Sequence, residues 1–125
     1  MNIPENLYYT KEHEWVRVEN GKAFVGITNY AQDQLGDITY VELPEKDKVV
    51  QVEDDLGVVE SVKAASDVYA PVSGVVDSVN EELEDSPEII NRSPYKDGWI
   101  CSLKDFDSAE LENLMSAVDY KNFIM

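Results

Sequence analysis

Gly57-Val58-Val59-Glu60-Ser61-Val62-Lys63-Ala64-Ala65-Ser66-Asp67-Val68-Tyr69-Ala70-Pro71 sets two apolar, β-prone stretches on either side of one lysine and a patch of small residues. If the flanks pair as a hairpin, Lys63 lies at or beside the turn and its amine projects into solvent. The small neighbours Ala64, Ala65 and Ser66 leave that amine sterically open, so a modifying enzyme can reach it. A group joined there would swing on the long lysine stem. Taken alone, the segment also fits an ordinary solubilising lysine, because exposed lysines are common.

Short strands surround this segment. Val49 to about Val79 is a run of valine-rich pieces broken by Gly57, Pro71 and Gly74, a pattern that predicts a small β-sandwich or barrel. Val52-Glu53-Asp54-Asp55-Leu56 and Val79-Asn80-Glu81-Glu82-Leu83 form a faint repeat on either side of Lys63, which would suit two similar halves. Further upstream, Glu14–Glu19 and Lys22–Ile27 are joined by Asn20-Gly21. An Asn-Gly pair between alternating runs predicts a tight hairpin, since its turn needs positive φ at both central positions. A short helix is expected from Asn29 to Leu35, with Thr28 as N-cap and Gly36 as the stop. Asp37–Leu43 then resumes a strand, closed by Pro44.

The C-terminal end reads as helical. Asp107-Ser108-Ala109-Glu110 has the spacing of a capping box, and Leu111, Leu114, Met115 and Val118 recur at helical intervals as one apolar stripe. Tyr120, Phe123 and Ile124 would continue its docking on the sheet. No long Gly/Ser/Pro linker interrupts the chain, so residues 1–125 are expected to form one domain.

Composition narrows the function classes. Twenty-six acidic residues against ten basic ones give a net charge of −16. Such a surface repels phosphate backbones and anionic lipid, which disfavours nucleic acid and membrane as partners. It suits solubility, a monomeric state and rapid encounter with basic patches on other proteins. No apolar run is long enough to span a bilayer, and Met1–Asn6 lacks the basic-then-apolar pattern of a secretory signal. A cytoplasmic location is expected, a mature mitochondrial protein being also compatible. Cys101, the single cysteine, falls in an alternating run as a small core residue, and the lone His13 has no second histidine for a metal site. No phosphate-cradling glycine loop, serine elbow or metal-ligand set occurs, so neither a catalytic residue nor a metal is expected.

Glu60-Ser61-Val62-Lys63-Ala64 with Ser66-Asp67 resembles the lipoylation motif of glycine cleavage system H proteins. The resemblance extends through His13-Glu14-Trp15-Val16, Val25-Gly26-Ile27-Thr28, Ala31-Gln32, Leu35-Gly36-Asp37-Ile38 and Val41-Glu42-Leu43-Pro44-Glu45. Downstream it takes in Ala70-Pro71-Val72-Ser73-Gly74, Asn80, Ser93-Pro94-Tyr95, Gly98-Trp99, Ala109-Glu110-Leu111 and Tyr120, so it runs from about Tyr8 to Ile124. It implies a mainly β fold: a lipoyl-domain-like hybrid barrel-sandwich of antiparallel strands, with a short helix in the N-terminal half and a C-terminal helix.

The same resemblance implies a non-catalytic carrier with lipoic acid joined covalently to Lys63. Glu60 and Asp67 would be recognised by a lipoate ligase or a lipoyl/octanoyl transferase, and Gly74 would permit the turn that lets the two hairpins face each other. The implied job is to shuttle an aminomethyl group from glycine decarboxylase to an aminomethyltransferase, and to present the reduced arm to dihydrolipoamide dehydrogenase. Three departures from the family pattern stand out. Asp47 and Glu53 occupy positions where glycines are common, so those loops are expected to use non-glycine geometry or to deviate locally. Tyr30 replaces a histidine, so shelter for a loaded arm would differ, and Glu14 becomes a candidate for holding the aminomethyl amine in an arm cleft.

Other carriers fit less well. Acyltransferase lipoyl domains present Asp-Lys-Ala and biotin carriers flank the lysine with methionine, whereas Lys63 lies between Val62 and Ala64. Two alternatives keep the fold and change the job: a lipoyl relay supplying other lipoate-dependent enzymes, and an unmodified acidic interaction module.

Overall fold

The Asn20-Gly21 pair closes the first hairpin as its composition predicts. Asn20 and Gly21 take φ of 54° and 75°, and β2 (Glu14–Glu19) pairs with β3 (Lys22–Ile27) in unbroken antiparallel register. The computed structural model describes residues 2–125. A two-residue strand β1 (Tyr8–Tyr9) flanks β2, and α1 (Asn29–Leu35) follows β3. Thr28 caps α1 by accepting from the Ala31 amide at 3.2 Å, and Gly36 ends it at φ 81°. Both ends lie where the sequence predicts them.

β4 (Ile38–Glu42), β5 (Val49–Val50), β6 (Asp55–Ser61), β7 (Ala65–Tyr69), β8 (Gly74–Val79) and β9 (Cys101–Lys104) complete two antiparallel sheets. One has the order β1-β2-β3-β9-β8-β5, the other β4-β6-β7. Their inner faces share a core that includes Val25, Ile38, Val41, Leu56, Val59, Val68, Val76 and Leu103. An aromatic cluster of Tyr9, Trp15 and Tyr120 sits beside it, with the Tyr9 and Tyr120 rings stacked at 4.7 Å. Trp15 secures this cluster to the 93–95 segment by donating from Nε1 to the Pro94 carbonyl at 2.9 Å.

Between β8 and β9 lie two single helical turns, α2 (Glu82–Asp85) and α3 (Ile89–Arg92). The faint repeat does not mark equivalent structures. Val52–Leu56 runs from a turn into β6, whereas Val79–Leu83 leaves β8 and enters α2. Gly74 also differs from expectation. Its φ is not left-handed; a Cβ there would press on the Lys104 carbonyl oxygen at 3.0 Å and Leu103 at 3.3 Å. Close strand approach, rather than a turn, is what excludes a side chain at this position.

The C-terminal end departs most from the expected single helix. A 3-10 helix spans Ser108–Asn113, Leu114 is extended, and α4 (Ala117–Ile124) restarts behind Ser116. Two long-range contacts break the helix. Met115 exchanges backbone hydrogen bonds with Tyr9 at 2.8 and 2.9 Å, which holds it extended against β1. The Glu110 carboxylate accepts from the Ser73 amide at 2.7 Å instead of closing a capping box on Asp107. Leu111, Leu114 and Met115 still pack inward, but Val118 falls out of phase and is 67% exposed.

Asp47 and Glu53 overturn the expectation of non-glycine loop geometry. Their φ values of 70° and 75° lie in the left-handed region that favours glycine. Backbone anchoring holds them there: the Asp47 amide donates to the Val76 carbonyl at 2.8 Å and the Glu53 amide to the Ala70 carbonyl at 2.7 Å. A left-handed L-residue costs roughly 1–2 kcal/mol, partly offset in glycine by its larger chain entropy. Glu53→Gly is therefore expected to raise stability by about 1 kcal/mol. Urea unfolding would check this, and a destabilised variant would mean that the Glu53 side chain holds the loop.

Candidate functional site

The turn between β6 and β7 is closed by one residue, Ser61. Its amide donates to the Ala64 carbonyl at 2.8 Å, and its hydroxyl donates to the same carbonyl at 3.2 Å. That hydroxyl also accepts from the Lys63 and Ala64 amides at 3.3 and 3.1 Å. A serine that supplies both donor and acceptor satisfies the tip of the turn without help from outside the hairpin. Lys63 therefore has a fixed backbone and an exposed side chain. Among the described residues its amine pairs with no carboxylate. Its Cε lies 4.0 Å from where a Cβ on Gly36 would stand, so the stem passes the end of α1. The sequence marks Ser61 only as part of a motif; its polarity between two valine runs is the signal for a turn residue.

Glu60 and Asp67 share the outer face of the hairpin. Glu60 lies opposite Ala65, and Asp67 opposite Val58, so the two carboxylates are diagonal neighbours. The alternate residues Val59 and Val68 point into the core. Asn91, which sequence inspection passes over, sets the neighbouring framework. Its amide group donates to the Gln32 side chain at 2.7 Å and the Gly36 carbonyl at 2.9 Å, and its oxygen accepts from the Ile38 amide at 2.9 Å. One side chain thus ties the end of α1 to the start of β4, beside the lysine turn.

Glu14 stands apart from this group. It is only 2% exposed, and its carboxylate accepts from the Thr10 hydroxyl at 2.6 Å and the Tyr69 amide at 3.1 Å. It therefore caps the far end of β7, six residues from Lys63 and at most ~20 Å from it along the chain. A cleft of about 480 Å³ opens here, lined by Tyr9, Thr10, Glu14, Tyr69, Leu114 and Met115 among others. Burial, opposed by the two hydrogen bonds, pushes the Glu14 carboxyl up to about 7. A carboxyl held above its unfolded value stabilises the fold fully below about pH 4.5, and that stabilisation is lost as pH rises through 7. Relative to Glu14→Gln, the wild type should lose about 3 kcal/mol between pH 4.5 and 8. Urea titrations of both proteins across this range would test it, and parallel profiles would refute it.

Cys101 is buried, as its alternating run predicts, and His13 is held among aromatic rings. His13 Nδ1 lies 2.9 Å from the Tyr120 hydroxyl, which in turn lies 2.8 Å from Thr28 Oγ1. Tyr30 packs on the His13 ring at 4.8 Å. Cys101 is fully buried, and desolvation pushes its thiol up to about 12, far from a reactive thiolate.

Comparison with known proteins agrees with this geometry. Residues 7–125 match the family model described as Glycine cleavage H-protein. The chain is 53% identical over 124 residues to the glycine cleavage system H protein of Oceanobacillus iheyensis, covering 99% of this chain and 98% of that one. It is 59% identical over 122 residues to glycine cleavage system H protein 4 of Aquifex aeolicus, covering 98% and 71%. The crystal structure of a glycine cleavage system H protein from Mycobacterium marinum superposes with a TM-score of 0.87 at 35% identity, covering 96% of this chain and 97% of that one. The two sheets and their helices accordingly form the lipoyl-domain-like barrel-sandwich.

Proposed function

The chain belongs to the glycine cleavage H-protein family, and on that premise we propose that it is a one-domain, non-catalytic carrier bearing lipoic acid on Lys63. The observation that supports this most is the Ser61-locked turn, which presents a single amine in the open. The residues fit such a group: an exposed lysine with small or exposed neighbours can accept an acyl chain in amide linkage without disturbing the core. When attached, the lipoyl group supplies the disulfide/dithiol chemistry needed for group transfer and reoxidation.

The chain itself contributes position and charge. Glu60 and Asp67 flank the amine on an outer face where a lipoate ligase or a lipoyl/octanoyl transferase would approach. Glu14, lining the cleft at the other end of β7, offers an acidic group for a cationic amine. The net charge of −16 favours fast, reversible encounters with basic mouths on successive partners. Those partners are glycine decarboxylase, the aminomethyltransferase and dihydrolipoamide dehydrogenase. No helix of the described residues is long and apolar enough to cross a membrane, and we place the carrier in the cytoplasm.

Reconstitution tests the proposal. The lipoylated protein, mixed with the three partner enzymes, glycine, tetrahydrofolate and NAD, should support glycine-dependent NADH formation. Lipoylated protein that supports no turnover would overturn the shuttle.

A further inference from the structure

β4 should alternate strictly: with Ile38 inward, Tyr40 would also point inward. It does not. The register between β4 and β6 shifts between Ile38 and Tyr40, so that Ile38 lies opposite Ser61 while Tyr40 lies opposite Glu60. The extra residue, Thr39, donates from its hydroxyl to the Glu60 carbonyl at 3.3 Å and so ties the bulge to the lysine-bearing strand. Beyond the bulge Val41 returns to the core and Glu42 points outward. The net effect is to turn Tyr40 outward, where it is 50% exposed. Bulges of this kind re-aim side chains beside functional sites.

The outer face of the small sheet can then be read from its register. One row across it is Tyr40, Glu60 and Ala65; the next is Glu42, Val58 and Asp67. Val62, 81% exposed, follows β6 in the lysine turn. Tyr40 therefore has Glu60 beside it and Glu42 two residues along its own strand, with Asp67 farther across the same face.

Two sides of the lysine turn are occupied by the protein itself. The inner face of the hairpin is core, at Val59 and Val68. The end of α1 lies against the lysine stem at Gly36. The outer face adjoins the exposed tip of the turn, so an enzyme that engages Lys63 Nζ has this face beside it as a docking surface.

We propose that Tyr40, turned outward by the Thr39 bulge, is the anchor by which the lipoate-attaching enzyme grips this chain. This rests on the lipoyl reading of Lys63. The partner chemistry that fits is a mouth with an apolar pocket for the ring and cationic side chains opposite Glu42, Glu60 and Asp67. An exposed tyrosine flanked by carboxylates has the makeup of an interface hot spot. The joining step forms an amide between Lys63 Nζ and the lipoate carboxyl while ATP is cleaved to AMP and pyrophosphate.

Steady-state lipoylation with a lipoate ligase, lipoate and ATP tests the assignment on the full chain. Tyr40→Ala should lower kcat/KM at least about tenfold, chiefly through KM. Tyr40→Phe, which keeps the ring, should stay within about twofold of wild type, as should Val49→Ala, an exposed residue of the other sheet. Thermal unfolding of all three would show an intact fold. A Tyr40→Ala protein modified at the wild-type rate overturns the proposal, and so does an equal loss in Val49→Ala. If Tyr40→Ala is modified normally but then fails with glycine decarboxylase, Tyr40 belongs to a later partner and the assignment falls. Absence of an adduct on wild-type Lys63 would instead overturn the underlying carrier reading.

Discussion

Lys63→Arg should carry no lipoyl group after exhaustive incubation with a lipoate-attaching enzyme, yet unfold within about 0.5 kcal/mol of wild type. Arginine keeps the charge and the length of the stem. It does not offer an amine that can lose its proton and form an amide, since the guanidinium stays protonated under all conditions in which the protein is folded. The small stability change follows from position. The Lys63 side chain is exposed, and the turn beneath it is held by Ser61 and by backbone atoms. Intact mass would read the first outcome and urea unfolding the second. An adduct on another lysine of the variant would remove the special status of the hairpin. A large destabilisation would mean that the lysine stem against Gly36 bears on packing.

Gly57→Ala should be the most destabilising small substitution near the site, with a loss of about 3 kcal/mol. Gly57 lies in β6, where the pairing with β7 shifts register between Asp55 and Gly57. A Cβ there would collide with the Glu42 carbonyl oxygen of β4. Backbone atoms cannot rotate aside as a long side chain can, so β4 and β6 would have to part. That would disturb Val41 and Val59, both buried between the sheets. The hairpin would tilt with them, and lipoylation should slow in whatever fraction remains folded. Chemical denaturation is the direct check. A loss below 1 kcal/mol would show that the two strands have slack.

What the sequence made legible is local. The Asn20-Gly21 hairpin and the Thr28-to-Gly36 helix depend on residues within a few positions of each other, and both lie where expected. The lysine turn belongs to the same class. The C-terminal end does not, because its outcome depends on Tyr9 and Ser73, distant residues that take up Met115 and Glu110. Helical spacing from Leu111 to Val118 carries no trace of those contacts. The outward turn of Tyr40 is equally hidden, since a bulge adds one residue to a strand without any fixed composition. Glu14 was legible as a motif residue, but its place at the end of β7 comes from a pairing with Tyr69 that no spacing predicts. At Asp47 and Glu53 side-chain identity misled: backbone hydrogen bonds hold a left-handed conformation that composition argues against.

One covalent bond at Lys63 decides whether the chain is a carrier. Wild-type protein incubated with a lipoate ligase, lipoate and ATP should gain the mass of a single lipoyl group, and peptide mapping should place it on the fragment containing Lys63. Correctly folded protein that gains no adduct, or gains it at another lysine, would contradict the account.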